Sequence, residues 1–201
     1  MIKIILVYNK VARGEDMEIL LKARDLAKNA HNGQKRKISG KPYFTHVENV
    51  AAILKQSGFP DSVVAAGYLH DVIEDTDVSQ EDIREIFGEE ILQLVLHNTE
   101  NKDLEWEQRK QATILKAQES SFEIKALIAA DKLDNSQDLL NFHQKYGDKV
   151  WEFFNRGYEK QAWYYKELTE ALFKNVNETE IPDFFHILRS NVENLFCQKE
   201  M

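Results

Sequence analysis

The sequence predicts an all-α fold, a helical bundle with a C-terminal helical extension. Three observations predict it. Apolar residues recur three and four apart through most of the chain, the spacing of one helix face. Only 3 prolines and 8 glycines interrupt the 201 residues. Helix start and stop signals flank the apolar runs, and no internal repeat, low-complexity tract or Gly/Ser linker divides them.

Taken in order, Met17, Leu20, Leu21, Ala23, Ala27 and Ala30 line one face of a first helix that ends before Gly33. Val47, Val50, Ala51 and Leu54 mark a second, stopped at Gly58. Asp61 is placed to cap a third, whose apolar positions run through Val63, Val64, Ala66 and Leu69 to Ile73. Ser79 with Asp82 has the form of a capping box and opens a short helix ending at Gly88. Ile91, Leu92, Leu94 and Val95 continue in a fifth, and residues 105–120 and 122–143 read as two more. A long aromatic helix follows Gly147, carrying Trp151, Phe154, Tyr158, Trp163 and Leu168. Pro182 suits the first turn of a last helix through Leu195. The simplest division is an N-terminal arm or strand over 1–15, one helical domain over 16–145, and C-terminal helices over 146–201 packed on that domain.

Composition narrows the function. With 43% apolar residues a real core is expected, and with a net charge of −8 the chain is a poor general binder of nucleic acid or of an anionic membrane. An anionic ligand must therefore meet a local basic patch. The lone cysteine, Cys197, permits no intrachain disulfide, and no segment is apolar enough to span a bilayer, so a cytoplasmic location is expected. The C-terminal aromatics Trp151, Phe153, Phe154, Trp163, Tyr164 and Tyr165 exceed what one short helix needs. They suggest a homo-oligomeric contact through the C-terminal helices, or a cover for the rest of the domain.

The most telling residues come in a fixed order: His46, the adjacent pair His70 and Asp71, then Asp131. Two imidazoles and two carboxylates can hold one divalent cation and leave positions for water, as catalytic sites do. Continued as a helix, His70 to Asp75 would put Glu74 and Asp75 one turn beyond His70 and Asp71. There they would orient or deprotonate a water at the ion. Asn135 follows Asp131 at i+4 and brings an amide to the same face, suited to a ribose or phosphate. Each signal is weak by itself, since a His-Asp dipeptide or an acidic helix end arises often by chance. The basic loop Lys35, Arg36, Lys37 and Lys41 precedes His46 directly and is the expected phosphate receptor, with Arg36 also suited to stacking on a base. Arg109 and Lys110 read as ordinary for an exposed helix.

Together, Ala30-His31-Asn32-Gly33-Gln34-Lys35-Arg36-Lys37, Pro42-Tyr43-Phe44-Thr45-His46, Leu69-His70-Asp71-Val72-Ile73-Glu74-Asp75-Thr76 and Ala130-Asp131-Lys132-Leu133-Asp134-Asn135 resemble the HD-domain hydrolases of the Rel/Spo alarmone type, and in particular the small stand-alone alarmone hydrolases. The resemblance covers residues 17 to 140. It implies an all-α HD domain, a single ion, usually Mn2+, on His46, His70, Asp71 and Asp131, and a catalytic acidic pair in Glu74 and Asp75. It further implies Arg36 beside a guanine base, Asn135 on the nucleotide, and removal of pyrophosphate from the 3′ position of (p)ppGpp. The chain departs from the family's pattern at Val47, Asp134, Ser136 and Gln137. All of these are expected to touch the nucleotide pocket. The changes at Asp134, Ser136 and Gln137 motivate one alternative, an HD phosphohydrolase for another nucleotide such as NADPH; a second, of another class, is a non-catalytic nucleotide sensor.

Overall fold

The computed structural model describes residues 18–196. The expected N-terminal arm and Cys197 lie outside the described residues. Among those described no strand forms; an isolated antiparallel bridge joins Lys35 to Pro42.

Helix α1 covers residues 18–30 and buries Leu20, Ala23 and Ala27, successive positions of one helix face. The loop after it folds back on itself. Arg36 N–H donates to Lys41 O at 2.9 Å, Tyr43 N–H to Gln34 O at 2.9 Å, and Gly40 takes a φ of +67° that a side chain would resist. Helix α2 (Phe44–Gln56) buries Val47, Val50, Ala51 and Leu54 and carries His46 on the same stripe. Helix α3 (Asp61–Leu69) crosses α2 so closely that a Cβ on Gly67 would lie 3.1 Å from Ala51 Cα and 2.9 Å from Leu54 Cδ1.

The apolar spacing that runs on to Ile73 does not continue α3. The helix ends at Leu69, His70 and Asp71 form a turn, and a single turn, α4 (Val72–Asp75), follows. Helix α5 (Gln80–Asn98) opens on the Ser79 and Asp82 capping box, in which Ser79 N–H donates to Asp82 Oδ2 at 2.8 Å and Asp82 N–H to Ser79 Oγ at 3.1 Å. It bends at Gly88, whose φ of 82° and ψ of 174° divide it into the two pieces the sequence predicts.

Helix α6 (Trp106–Glu119) leads to the central α7 (Phe122–Tyr146), which packs against α2, α3, α5 and α9. Being central, α7 buries polar side chains as well as apolar ones, among them Asp131, Asp134, Ser136 and Asp138. The long helix expected after Gly147 is divided. A 3-10 segment (Gly147–Phe153) comes first, and α8 (Gly157–Phe173) starts only at Gly157, whose φ is +63°. Helix α9 (Asp183–Phe196) starts directly after Pro182 and packs on α7 and α8. Lys125, at the α7 start, is buried and donates to Gln118 O at the end of α6 and to Lys174 O just past α8, so one ammonium caps two helix ends. Trp151, Tyr164 and Tyr165 are buried inside this chain, Phe154 and Trp163 are partly buried, and Phe153 is exposed.

Candidate functional site

Helices α2 and α7 and the α3–α4 turn bring the four expected ligand residues to one point. His46 Nε2 is 3.2 Å from His70 Nε2 and 3.3 Å from Asp131 Oδ1. Asp71 Oδ2 is 3.0 Å from His70 Nε2 and 3.7 Å from His46 Nε2. His70 and Asp71 come from the turn between α3 and α4, and both reach this centre.

The far side of each imidazole is occupied by an acceptor. His46 Nδ1 lies 2.7 Å from Asp134 Oδ2, and His70 Nδ1 lies 2.9 Å from Gly67 O. A carboxylate and a carbonyl only accept, so both Nδ1 atoms carry hydrogen. In the neutral rings both Nε2 lone pairs then face each other, an arrangement that either a shared proton or a metal ion between them satisfies. Electrostatics agrees. Burial opposes charge on His46, but hydrogen bonds to Asp131 and Asp134 outweigh it and raise its pKa to about 9. Burial likewise opposes charge on His70, and Asp71 outweighs it, so its pKa is raised. Asp131 is held well below the carboxylate range despite burial, by Lys132 and then by the imidazoles. Two nitrogen donors at adjacent vertices of an octahedral ion sit about 3 Å apart, which matches the observed pair. The group His46, His70 and Asp131 could therefore hold a metal ion, with Asp71 beside it.

Beside this centre lies a cavity of about 300 Å³, lined by none of the four residues themselves. It shares Tyr43, Lys132 and Asn135 with the His/Asp group: Tyr43 OH donates to Asp71 Oδ2 at 2.6 Å, Lys132 Nζ to Asp131 Oδ2 at 2.7 Å, and Asn135 Nδ2 to Asp131 Oδ1 at 2.6 Å. Of the basic loop, Arg36 and Lys37 line the cavity; Lys35 is exposed and lies outside the lining. Arg36 is fully engaged. It pairs with Asp134, with Asp138 at 3.1 Å, and donates to Asn135 Oδ1 at 3.0 Å. Lys37 Nζ stands 5.9 Å from the Phe154 ring centroid.

Glu74 and Asp75 sit beyond the ligand turn. Glu74 Oε2 accepts from Glu100 N–H at 3.1 Å, and Lys102 Nζ reaches Asp75 Oδ1 at 2.9 Å. Burial raises the Glu74 pKa, and the nearby charges of Asp71 and Asp75 add to it. Gln34 Nε2 donates to Asp75 O at 2.8 Å, tying α4 to the basic loop.

An HD domain matches residues 23–143, which is more than half of the chain. The chain belongs to the HD domain family. This HD domain is 43% identical over 112 residues to the Drosophila melanogaster guanosine-3′,5′-bis(diphosphate) 3′-pyrophosphohydrolase MESH1, covering 54% of this chain and 63% of that one. It is 39% identical over 129 residues to the Homo sapiens MESH1, covering 63% and 72%. Against the Aquifex aeolicus guanosine-3′,5′-bis(diphosphate) 3′-pyrophosphohydrolase it is 30% identical over 206 residues and covers 92% of this chain but 30% of the relative. Among solved structures, lmo0812 from Listeria monocytogenes EGD-e superposes with a TM-score of 0.73 at 43% identity, over 76% of this chain and 99% of that one. A metazoan ortholog of SpoT that hydrolyses ppGpp superposes at 0.69 with 30% identity, over 90% and 96%.

Within this HD domain, some residues stand where their sequence neighbourhood does not suggest. Lys110 is not an ordinary surface lysine. It lines the cavity, pairs with Glu100 at 2.6 Å and stands 4.9 Å from the Tyr164 ring centroid. Its pKa is lowered, by burial first and by Lys132 second. Spacing on α6 gives no hint of this, because Tyr164 comes from α8. Ser136 does not touch the cavity: it is fully buried against α9, where Asn191 Nδ2 donates to its Oγ at 3.1 Å. Asp134 turns away toward His46, Arg36 and Asn49, Gln137 lies outside the lining, and Val47 is buried in the core and does not line the cavity either. On α7, Asp131, Asn135 and Asp138 share the cavity side at i, i+4 and i+7, and residue 136 falls on the opposite one. Among the described residues no helix is long and apolar enough to cross a membrane.

Proposed function

We propose that this chain is a divalent-metal-dependent phosphohydrolase that removes pyrophosphate from the 3′ position of (p)ppGpp, with Mn2+ as its ion. The observation that carries the reading is the facing pair of Nε2 atoms 3.2 Å apart, flanked by Asp71 and Asp131. Beside it stands a cavity whose walls offer Arg36, Lys37, Lys110 and Lys132 together with Trp106 and Tyr164, cations for phosphates and rings for a base. The activity printed in the names of the fly, human and Aquifex relatives supports the choice of nucleotide.

His46, His70, Asp71 and Asp131 hold the ion in this reading. A divalent ion bound there supplies polarisation of the phosphate and a more acidic water. Glu74 and Asp75 would orient the attacking water and take its proton as its oxygen bonds to phosphorus. The bond from phosphorus to the ribose 3′ oxygen breaks, pyrophosphate departs, and the 3′ oxygen regains a proton. Lys110 and Lys132 stabilise the phosphate charge, while Arg36 and Asn135 position the nucleoside.

The test is incubation of the purified chain with Mn2+ and ppGpp, followed by ion-exchange chromatography. GDP and pyrophosphate are the expected products. Unchanged ppGpp beside consumed NADPH would transfer the reading to a different nucleotide. Tight binding of ppGpp without product would make the chain a sensor.

A further inference from the structure

We propose that Asp134 is a positioning residue that fixes the His46 ring as a metal donor and ties it to Arg36 at the cavity wall. The inference rests on the proposed metal site and gives a purpose to a residue that the sequence marks only as a departure from its family.

Asp134 lies one helical turn after Asp131 on α7 and is 9% exposed. Its two oxygens meet three donors. Oδ2 takes His46 Nδ1 at 2.7 Å and the Arg36 guanidinium, and Oδ1 takes Asn49 Nδ2 at 2.7 Å. Nothing in that set can accept, so the carboxylate is pinned from both sides. The two imidazoles are therefore backed unequally. His70 leans on a neutral carbonyl, Gly67 O, and His46 on a full negative charge. A carboxylate behind an imidazole holds one tautomer, fixes the ring and makes Nε2 a stronger donor. The same carboxylate orients Arg36, whose other contacts, Asp138 and Asn135, both line the cavity. One buried group thus touches both the ion site, through His46, and the cavity wall, through Arg36.

The experiment is Mn2+ titration of the metal-free chain by calorimetry, without nucleotide. Asp134→Asn keeps the shape and removes the charge. Loss of such a supporting group typically weakens metal binding about 10–100-fold. The expected result is a fall of at least about tenfold in the Mn2+ affinity of that variant, measured where it is folded. Arg36→Gln breaks the other half of the bridge and is expected to leave Mn2+ affinity within about threefold while raising KM for ppGpp. If Asp134→Asn does not fold, Asn49→Ala at an exposed position frees one carboxylate oxygen and is expected to weaken Mn2+ severalfold. Parent-like affinity in the folded Asp134→Asn chain, or in Asn49→Ala where that is the variant measured, overturns the inference and leaves the metal site standing. Equal loss in Arg36→Gln and Asp134→Asn overturns it too, because any break in the network would then serve. A parent chain that binds no Mn2+ overturns the site itself and the inference with it.

Discussion

His46 and His70 face each other through Nε2 atoms 3.2 Å apart while each Nδ1 is tied to an acceptor behind it. Rings so held cannot turn away from each other. Binding of a cation should then stabilise the whole fold, since α2 and the α3–α4 turn meet there. At a hundredfold excess over Kd the gain is about 2.7 kcal/mol, or about 5–10 °C in Tm for a chain of this size. Scanning fluorimetry with EDTA and then Mn2+ measures it. His70→Ala should abolish the shift, and a variant that keeps it would remove His70 from the ligand set.

Glu74 carries a pKa raised above the usual 4.5, with burial as the leading cause. As the proposed base it must be ionised, so the acid limb of the pH–rate profile should lie above that value. The sign for stability follows. A carboxyl raised in the folded state contributes fully below its unfolded pKa, and the contribution is lost as pH rises through the folded pKa. Glu74→Gln should therefore gain stability relative to the parent as pH climbs from acid to neutral, while activity collapses. A limb at or below the ordinary glutamate value, or a Gln variant whose relative stability is flat with pH, would contradict this assignment.

Lys110 stands between Glu100 and Tyr164 at the cavity wall. Replacing it with methionine keeps the length and removes the cation. Charge-assisted contacts to phosphate contribute about 1.5–3 kcal/mol, so Lys110→Met should raise KM for ppGpp about tenfold or more. Mn2+ affinity should hold, because no ligand residue touches Lys110. Steady-state kinetics decides, and an unchanged KM would place the phosphates elsewhere.

Gly67 marks the α2–α3 crossing. A Cβ there would lie 3.1 Å from Ala51 Cα and 3.2 Å from Ala51 N, and backbone cannot step aside as a side-chain tip can. Overpacking of about 1–3 kcal/mol outweighs the roughly 1 kcal/mol that alanine gains in helix propensity. Gly67→Ala should lower Tm by a few degrees. It should also weaken Mn2+ binding, since prising α2 from α3 parts His46 from His70. A variant with parental Tm and affinity would show that the crossing tolerates the methyl.

The sequence alone determined most of the helices. Their apolar residues repeat with the period of a helix, and Ser79, Gly88, Gly147 and Pro182 punctuate them through local backbone chemistry. It also named the residues that gather at the centre, because their types and order match a known family. Tertiary structure decided what those residues do to one another. The α3 break at His70 and Asp71 is invisible to periodicity, since Leu69, Val72 and Ile73 keep apolar spacing across it. The burial of Lys110 depends on Tyr164, more than fifty positions away in the chain. Ser136 and Asp134, equally foreign to the family's pattern, separate only in space: one packs on α9, the other stands behind His46. Local spacing fixes which face a side chain takes, and only packing of distant helices fixes what waits on that face.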